Sequence, residues 1–138
     1  MQKVAVYWTL MEWQWNHGLL VRGNATKIWT SSVYCKDIIG DRWFPIWHFT
    51  DNPEESRIKV FVEIYEVDED CEANLDILEW VPHLYNKKYI KTIDWEYENV
   101  LIYDYNWEIN VDDEVINTED NWMKLVEGTE DIYVWSRF

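Results

Sequence analysis

Glu79 is the side chain of this sequence best placed to move protons. It follows Leu75-Asp76-Ile77-Leu78 and precedes Trp80-Val81-Pro82, so it falls at the C-terminal end of a helix that Pro82 stops. The helix dipole disfavours a negative charge there. Apolar Leu78, Trp80 and Val81 would strip water from the carboxyl and raise its pKa, which suits a group that accepts and returns a proton near neutrality. The plainer alternative is a solvated carboxylate at a helix end.

Other chemistries lack their residues. His17, His48 and His83 are dispersed, and Cys35 and Cys71 lie in no CxxC or Cys/His spacing suited to zinc. Two reduced, buried thiols are expected. No Gly-x-Ser-x-Gly elbow, phosphate loop, dinucleotide fingerprint or His-Glu-x-x-His motif occurs. A formal net charge of -15 argues against nucleic acid and anionic membranes, because phosphate attraction needs clustered Lys and Arg. The same charge could present carboxylates to a basic protein in place of phosphates. No stretch is apolar enough for a membrane span, and Met1 to Leu10 has no leader pattern; a cytoplasmic protein is expected.

The elements that must position Glu79 are legible. With 138 residues, one domain spanning 1–138 is expected. Lys3 to Tyr7 reads as a first strand and Asn16 to Arg22 as a short helix, with Asn16 as N-cap and Gly23 ending it. Thr26 to Ile39 is strand-like but uneven; Gly40-Asp41 and Phe44-Pro45 then signal a turn before an extended piece reaching Phe49. Arg57 to Val67 is the clearest strand, with Ile58, Val60, Val62 and Ile64 on one aliphatic face. Asp68 caps a helix whose inward stripe is Cys71, Leu75 and Leu78. Tyr85 to Ile93 and Asn99 to Tyr105 read as strands joined by a turn at Asp94-Trp95-Glu96, and Asp131 to Phe138 as a last strand. A short helix is expected around Asp120 to Val126. Many strands with two or three short helices indicate α+β with a closed or nearly closed sheet.

Eleven Trp stand beside only four Gly. Trp95 follows Asp94, Trp107 follows Asn106 and Trp122 follows Asn121, the second place of pairs where turn chemistry wants Gly, for which positive φ is nearly free. Trp135 reads as packing. At the turn-like positions, either the turns are rebuilt around indoles, or Trp stands at glycine positions by substitution or misassignment.

Taken in order, Val6-Tyr7-Trp8-Thr9-Leu10, Asn16-His17, Phe44-Pro45, and Leu75-Asp76-Ile77-Leu78-Glu79-Trp80-Val81-Pro82 with Tyr85 resemble the gamma-glutamylcyclotransferase-like (AIG2-like) superfamily, which includes gamma-glutamylamine cyclotransferases. The resemblance spans most of residues 3 to 105 and matches the final third loosely. It implies a small mixed β-barrel with a few short helices. In that family the first loop reads Tyr-Gly-Thr/Ser-Leu and holds the substrate's glutamyl head, and a Glu in a Leu-Asp-x-x-Glu-Gly-type segment is the acid/base. Carried over, Tyr7, Trp8, Thr9 and Leu10 form the binding loop, Glu79 is the catalytic group and Tyr85 a pocket residue. Trp8 and Trp80 stand where the family has Gly.

The implied substrate is a small gamma-glutamyl molecule, and the implied reaction needs no metal or organic cofactor. The substrate's own α-amine attacks its γ-carbonyl, closing 5-oxoproline and expelling an amine, so the protein must hold the bent shape and shuttle two protons. A second reading on the same fold is an inactive ligand-binding or acidic decoy protein.

Overall fold

The computed structural model describes residues 1–39, 46–56, 58–94, 99–106 and 123–135. Along the chain run β1 (Gln2–Val6), α1 (His17–Arg22), β2 (Thr26–Ile39), β3 (Ile46–Thr50), β4 (Ile58–Val67), α2 (Glu69–Leu78), β5 (Tyr85–Ile90), β6 (Val100–Tyr105), β7 (Met123–Leu125) and β8 (Ile132–Trp135). The strands form one sheet in the order β3-β2-β4-β1-β6-β5, with β8 pairing β4 and β7. It is mixed: β1 is antiparallel to β4 but parallel to β6, and β8 is parallel to β4.

The sheet curls until its two ends meet. The Asp104 carboxylate on β6 accepts the Phe49 N–H of β3 (2.8 Å), Lys88 on β5 donates to the Phe49 carbonyl, and the Lys91 N–H donates to Asp51 (2.8 Å). Side chains thus do across the seam what backbone ladders do elsewhere, and they satisfy edge groups that would otherwise invite pairing. The result is the small, nearly closed mixed barrel that the sequence leads one to expect.

β4 shows why these residues choose strands. Ile58, Val60, Val62 and Ile64 all enter the core, as their alternation requires. The opposite face is also covered at Glu63 and Tyr65. The Glu63 carboxylate is compensated there by the Glu12 N–H (2.8 Å), the Tyr65 hydroxyl (3.0 Å) and Lys27 (3.5 Å), as a buried acid requires. The unevenness of β2 is two register shifts, one against β4 between Lys27 and Trp29 and one against β3 between Cys35 and Asp37.

Two expectations need correction. Leu78 does not continue the inward stripe of α2; it is 38% exposed. The buried positions are Cys71, Leu75 and Glu79; the inward stripe passes from Leu75 to the C-cap Glu79, four residues on, where the chain leaves the helix. The helix expected around Asp120 to Val126 is not formed at its described end, where Met123–Leu125 pairs with β8; pairing to a neighbour overrides a weak local helical pattern. Asn16 sits at the α1 N-cap position but makes no capping bond. Cys35 and Cys71 are buried free thiols. Phe44-Pro45, Trp95, Trp107 and Trp122 lie outside the described residues.

Trp13 (φ 72°) and Trp80 (φ 51°) have left-handed backbones. A bulky residue there carries strain of about 1–3 kcal/mol.

The α2 N-cap is the clearest single contact in the fold, Asp68 Oδ1 accepting the Cys71 N–H at 2.8 Å. Asp68→Ala is expected to lower stability by about 1 kcal/mol in urea denaturation; an unchanged midpoint would show that the cap contributes nothing.

Candidate active site

Glu79 is delivered by the end of α2. The helix is fixed to the sheet through Lys87 on β5, which donates to Glu72 (2.6 Å) and Asp76 (2.9 Å), and through the Tyr103 hydroxyl on β6, which donates to the other oxygen of Asp76 (2.8 Å). Glu79 then occupies the C-cap position, its N–H still bonded to the Leu75 carbonyl (2.9 Å). Its side chain turns inward and is only 6% exposed.

The inward carboxyl meets the segment that follows β1. Glu79 lines a small cavity with Ala5, Val6, Tyr7, Trp8, Leu10 and Tyr103. Burial pushes its pKa up from 4.5 to about 7, because a dehydrated carboxylate is destabilised relative to its neutral acid. The neighbouring phenols of Tyr7, Tyr85 and Tyr103 are pushed well above their ordinary value, foremost by burial, then by Tyr85 at Tyr7, by Glu79 at Tyr85 and by Asp76 at Tyr103. They stay protonated, as donors.

The loop after β1 is held from both sides. The Tyr7 hydroxyl donates to the Tyr103 carbonyl (2.6 Å), and its ring packs on Trp47 and Phe49 at centroid separations of 5.0 and 4.9 Å. The Thr9 hydroxyl accepts from the Asn16 side-chain amide (2.7 Å), and its carbonyl accepts the Asn16 N–H (2.8 Å). His17 Nδ1 donates to the Leu10 carbonyl (2.9 Å), since a carbonyl can only accept. The Asn16-His17 pair therefore clamps the loop.

Of the residues singled out from the sequence, Tyr7, Trp8, Leu10 and Glu79 meet at one cavity. Tyr85 is buried beside it, its ring 6.4 Å from that of Trp8. The Thr9 side chain turns toward Asn16 instead, and does not line the cavity. Tyr103 was not foreseen. It lies in a stretch readable only as a strand, and nothing local marks a tyrosine that two other elements will approach. With the Trp8 indole present the cavity measures about 10 Å³, the space of roughly one water molecule.

Residues 4–124 match the family model described as "Gamma-glutamyl cyclotransferase, AIG2-like". No curated protein matches the chain. Solved structures similar to it include an AIG2-like protein from Mus musculus, at 23% identity over 78% of this chain and 80% of that one (TM-score 0.60). An uncharacterized protein from Pyrococcus horikoshii is 17% identical over 80% and 82% of the two chains (TM-score 0.60). YkqA from Bacillus subtilis is 26% identical over 77% of this chain but only 36% of its own length (TM-score 0.59). The first two likenesses establish the fold.

A folded-state pKa of about 7 against 4.5 in the unfolded chain means that the folded protein holds this proton more tightly. The stability contributed by Glu79 is then complete below pH 4.5 and lost as pH rises through about 7. Relative to its stability difference from the parent at pH 4, Glu79→Gln is expected to gain up to about 3 kcal/mol at pH 8, measured by urea denaturation at both pH values. A difference that stays constant with pH would show that the carboxyl is not dehydrated.

Proposed function

We propose that this chain, which belongs to the gamma-glutamyl cyclotransferase, AIG2-like family, is a gamma-glutamyl(amine) cyclotransferase with Glu79 as its acid/base. The observation that carries this reading is a buried carboxyl with a pKa of about 7, facing the Tyr7–Leu10 loop across a shared cavity.

The chemistry follows from the substrate. Its α-ammonium gives a proton to the Glu79 carboxylate, and the freed amine attacks the γ-carbonyl carbon. A C–N bond forms and the carbonyl oxygen takes up the electron pair. On collapse the original amide C–N bond breaks, and the proton held by Glu79 passes to the departing nitrogen; Glu79 then takes the second proton, which the new ring nitrogen still carries, and relays it to the released amine, which leaves as its ammonium. The products are 5-oxoproline and an amine, with no water consumed. A pKa near 7 serves both transfers, since the same group must be a base first and an acid afterwards. Holding the γ-glutamyl chain bent is the larger contribution, as intramolecular attack can reach effective molarities of about 10⁵ M or more. Main-chain N–H groups of the Tyr7–Leu10 loop would anchor the substrate carboxylate or steady the developing oxyanion. Tyr85 would wall the pocket.

The narrowness of the cavity favours a second reading, an inactive binding or decoy protein on the same fold. A cavity of about 10 Å³ has room for about one water molecule and not for a glutamyl group.

Incubation with gamma-glutamyl amines separates the two. Release of 5-oxoproline is expected, with kcat/KM rising with pH through about 7 as Glu79 ionises. Glu79→Gln should lower it by about 10²- to 10⁴-fold. Turnover retained in Glu79→Gln would remove Glu79 from the reaction, and absence of turnover combined with salt-sensitive capture of a basic protein would support the decoy.

A further inference from the structure

We propose that positions 13 and 80 are glycine in the protein as its own cell makes it, that position 8 belongs to the same set, and that Trp stands there only where a codon the cell decodes as glycine is read as tryptophan. UGA is such a codon, meaning tryptophan in some genetic codes and glycine in others.

The backbone carries the inference. Among the described residues four that are not glycine have positive φ: Asn24 (56°), Asn99 (58°), Trp13 (72°) and Trp80 (51°). Asn is the residue that tolerates this region after Gly, and a bulky aromatic is a true outlier in it. Neither indole gains by burial what its backbone loses, since Trp13 is 90% and Trp80 61% exposed. The same exchange fits a third kind of site. Trp29 is 51% exposed and sits where β2 shifts register against β4, an irregularity at which a strand commonly uses Gly.

Composition agrees. Four Gly in 138 residues is about 3%, against an ordinary share of about 7%, while Trp is in excess. A general surplus of Trp would not select left-handed turns, a bulge and the second place of Asp-X and Asn-X pairs.

Position 8 extends the idea to function, and this part rests on the proposed role of Glu79. The Trp8 side chain lines a cavity of only about 10 Å³ beside that carboxyl. Glycine there would leave the volume of an indole vacant between Leu10, Tyr85 and Glu79, where a glutamyl group could lie.

Peptide mass spectrometry of the protein isolated from its source cells reads the residues directly; Gly is expected at 8, 13 and 80, and Trp at 13 and 80 would overturn the proposal. Recombinant variants supply an independent test. Trp13→Gly and Trp80→Gly should each raise Tm by about 2–8 °C and exceed the matching Ala variants, because only Gly relieves positive φ without a Cβ. Ala variants at least as stable as the Gly ones would count against glycine positions. Trp8→Gly should raise 5-oxoproline release at least tenfold. Gly in the native peptides with an inactive Trp8→Gly protein would leave the glycine assignment standing and sink the cyclotransferase reading instead.

Discussion

The constraint on which this structure turns is a carboxyl taken out of water at the end of a helix. An acid kept dry in this way costs stability whenever it ionises, so its surroundings must be rigid enough to prevent the helix end from rolling it back into solvent. That rigidity comes from both ends of α2. Asp68 fixes the start through its cap on Cys71, while Lys87 and Tyr103 grip the last turn through Asp76. With the rotation of α2 set, the face bearing Cys71 and Leu75 carries Glu79 inward with them.

The opposing wall answers to a different requirement. A loop leaving a strand has backbone groups to satisfy, and here Asn16 and His17 bind the Thr9 and Leu10 carbonyls, while Tyr7 reaches across to Tyr103. A cavity wall built this way is preorganised, as the proposed bending of a flexible substrate would require. The one side chain out of keeping is Trp8, which lines the same cavity with its ring 6.4 Å from that of Tyr85 and leaves it only about 10 Å³. Trp13 and Trp80 have backbones suited to a residue without a side chain. One exchange of residue type accounts for strain at two places and for a closed site at a third.

Much of this was legible in order along the chain. The aliphatic alternation of β4, the acidic capped start of α2 and the stop at Pro82 are local signals, because each depends on atoms within one or two turns of itself. They placed Glu79 at a helix end next to apolar residues, and Leu78, Trp80 and Val81 suggested a raised pKa. The misplaced details were those decided by neighbours. Whether Leu78 or Glu79 faces inward depends on how α2 is rolled against β5 and β6. Whether 123–125 becomes strand depends on β8 being there to pair with it.

Residue order by itself determined the strands, the capped helix, the loop motif and the candidate acid, since propensity, capping and turn chemistry act over a few residues. Only the tertiary structure decided that this acid is dehydrated, and that Tyr103 and Trp8 line one small cavity with it. Desolvation and close packing are properties of groups brought together from distant parts of the chain, Tyr7 and Tyr103 being 96 residues apart, and no window of sequence contains both.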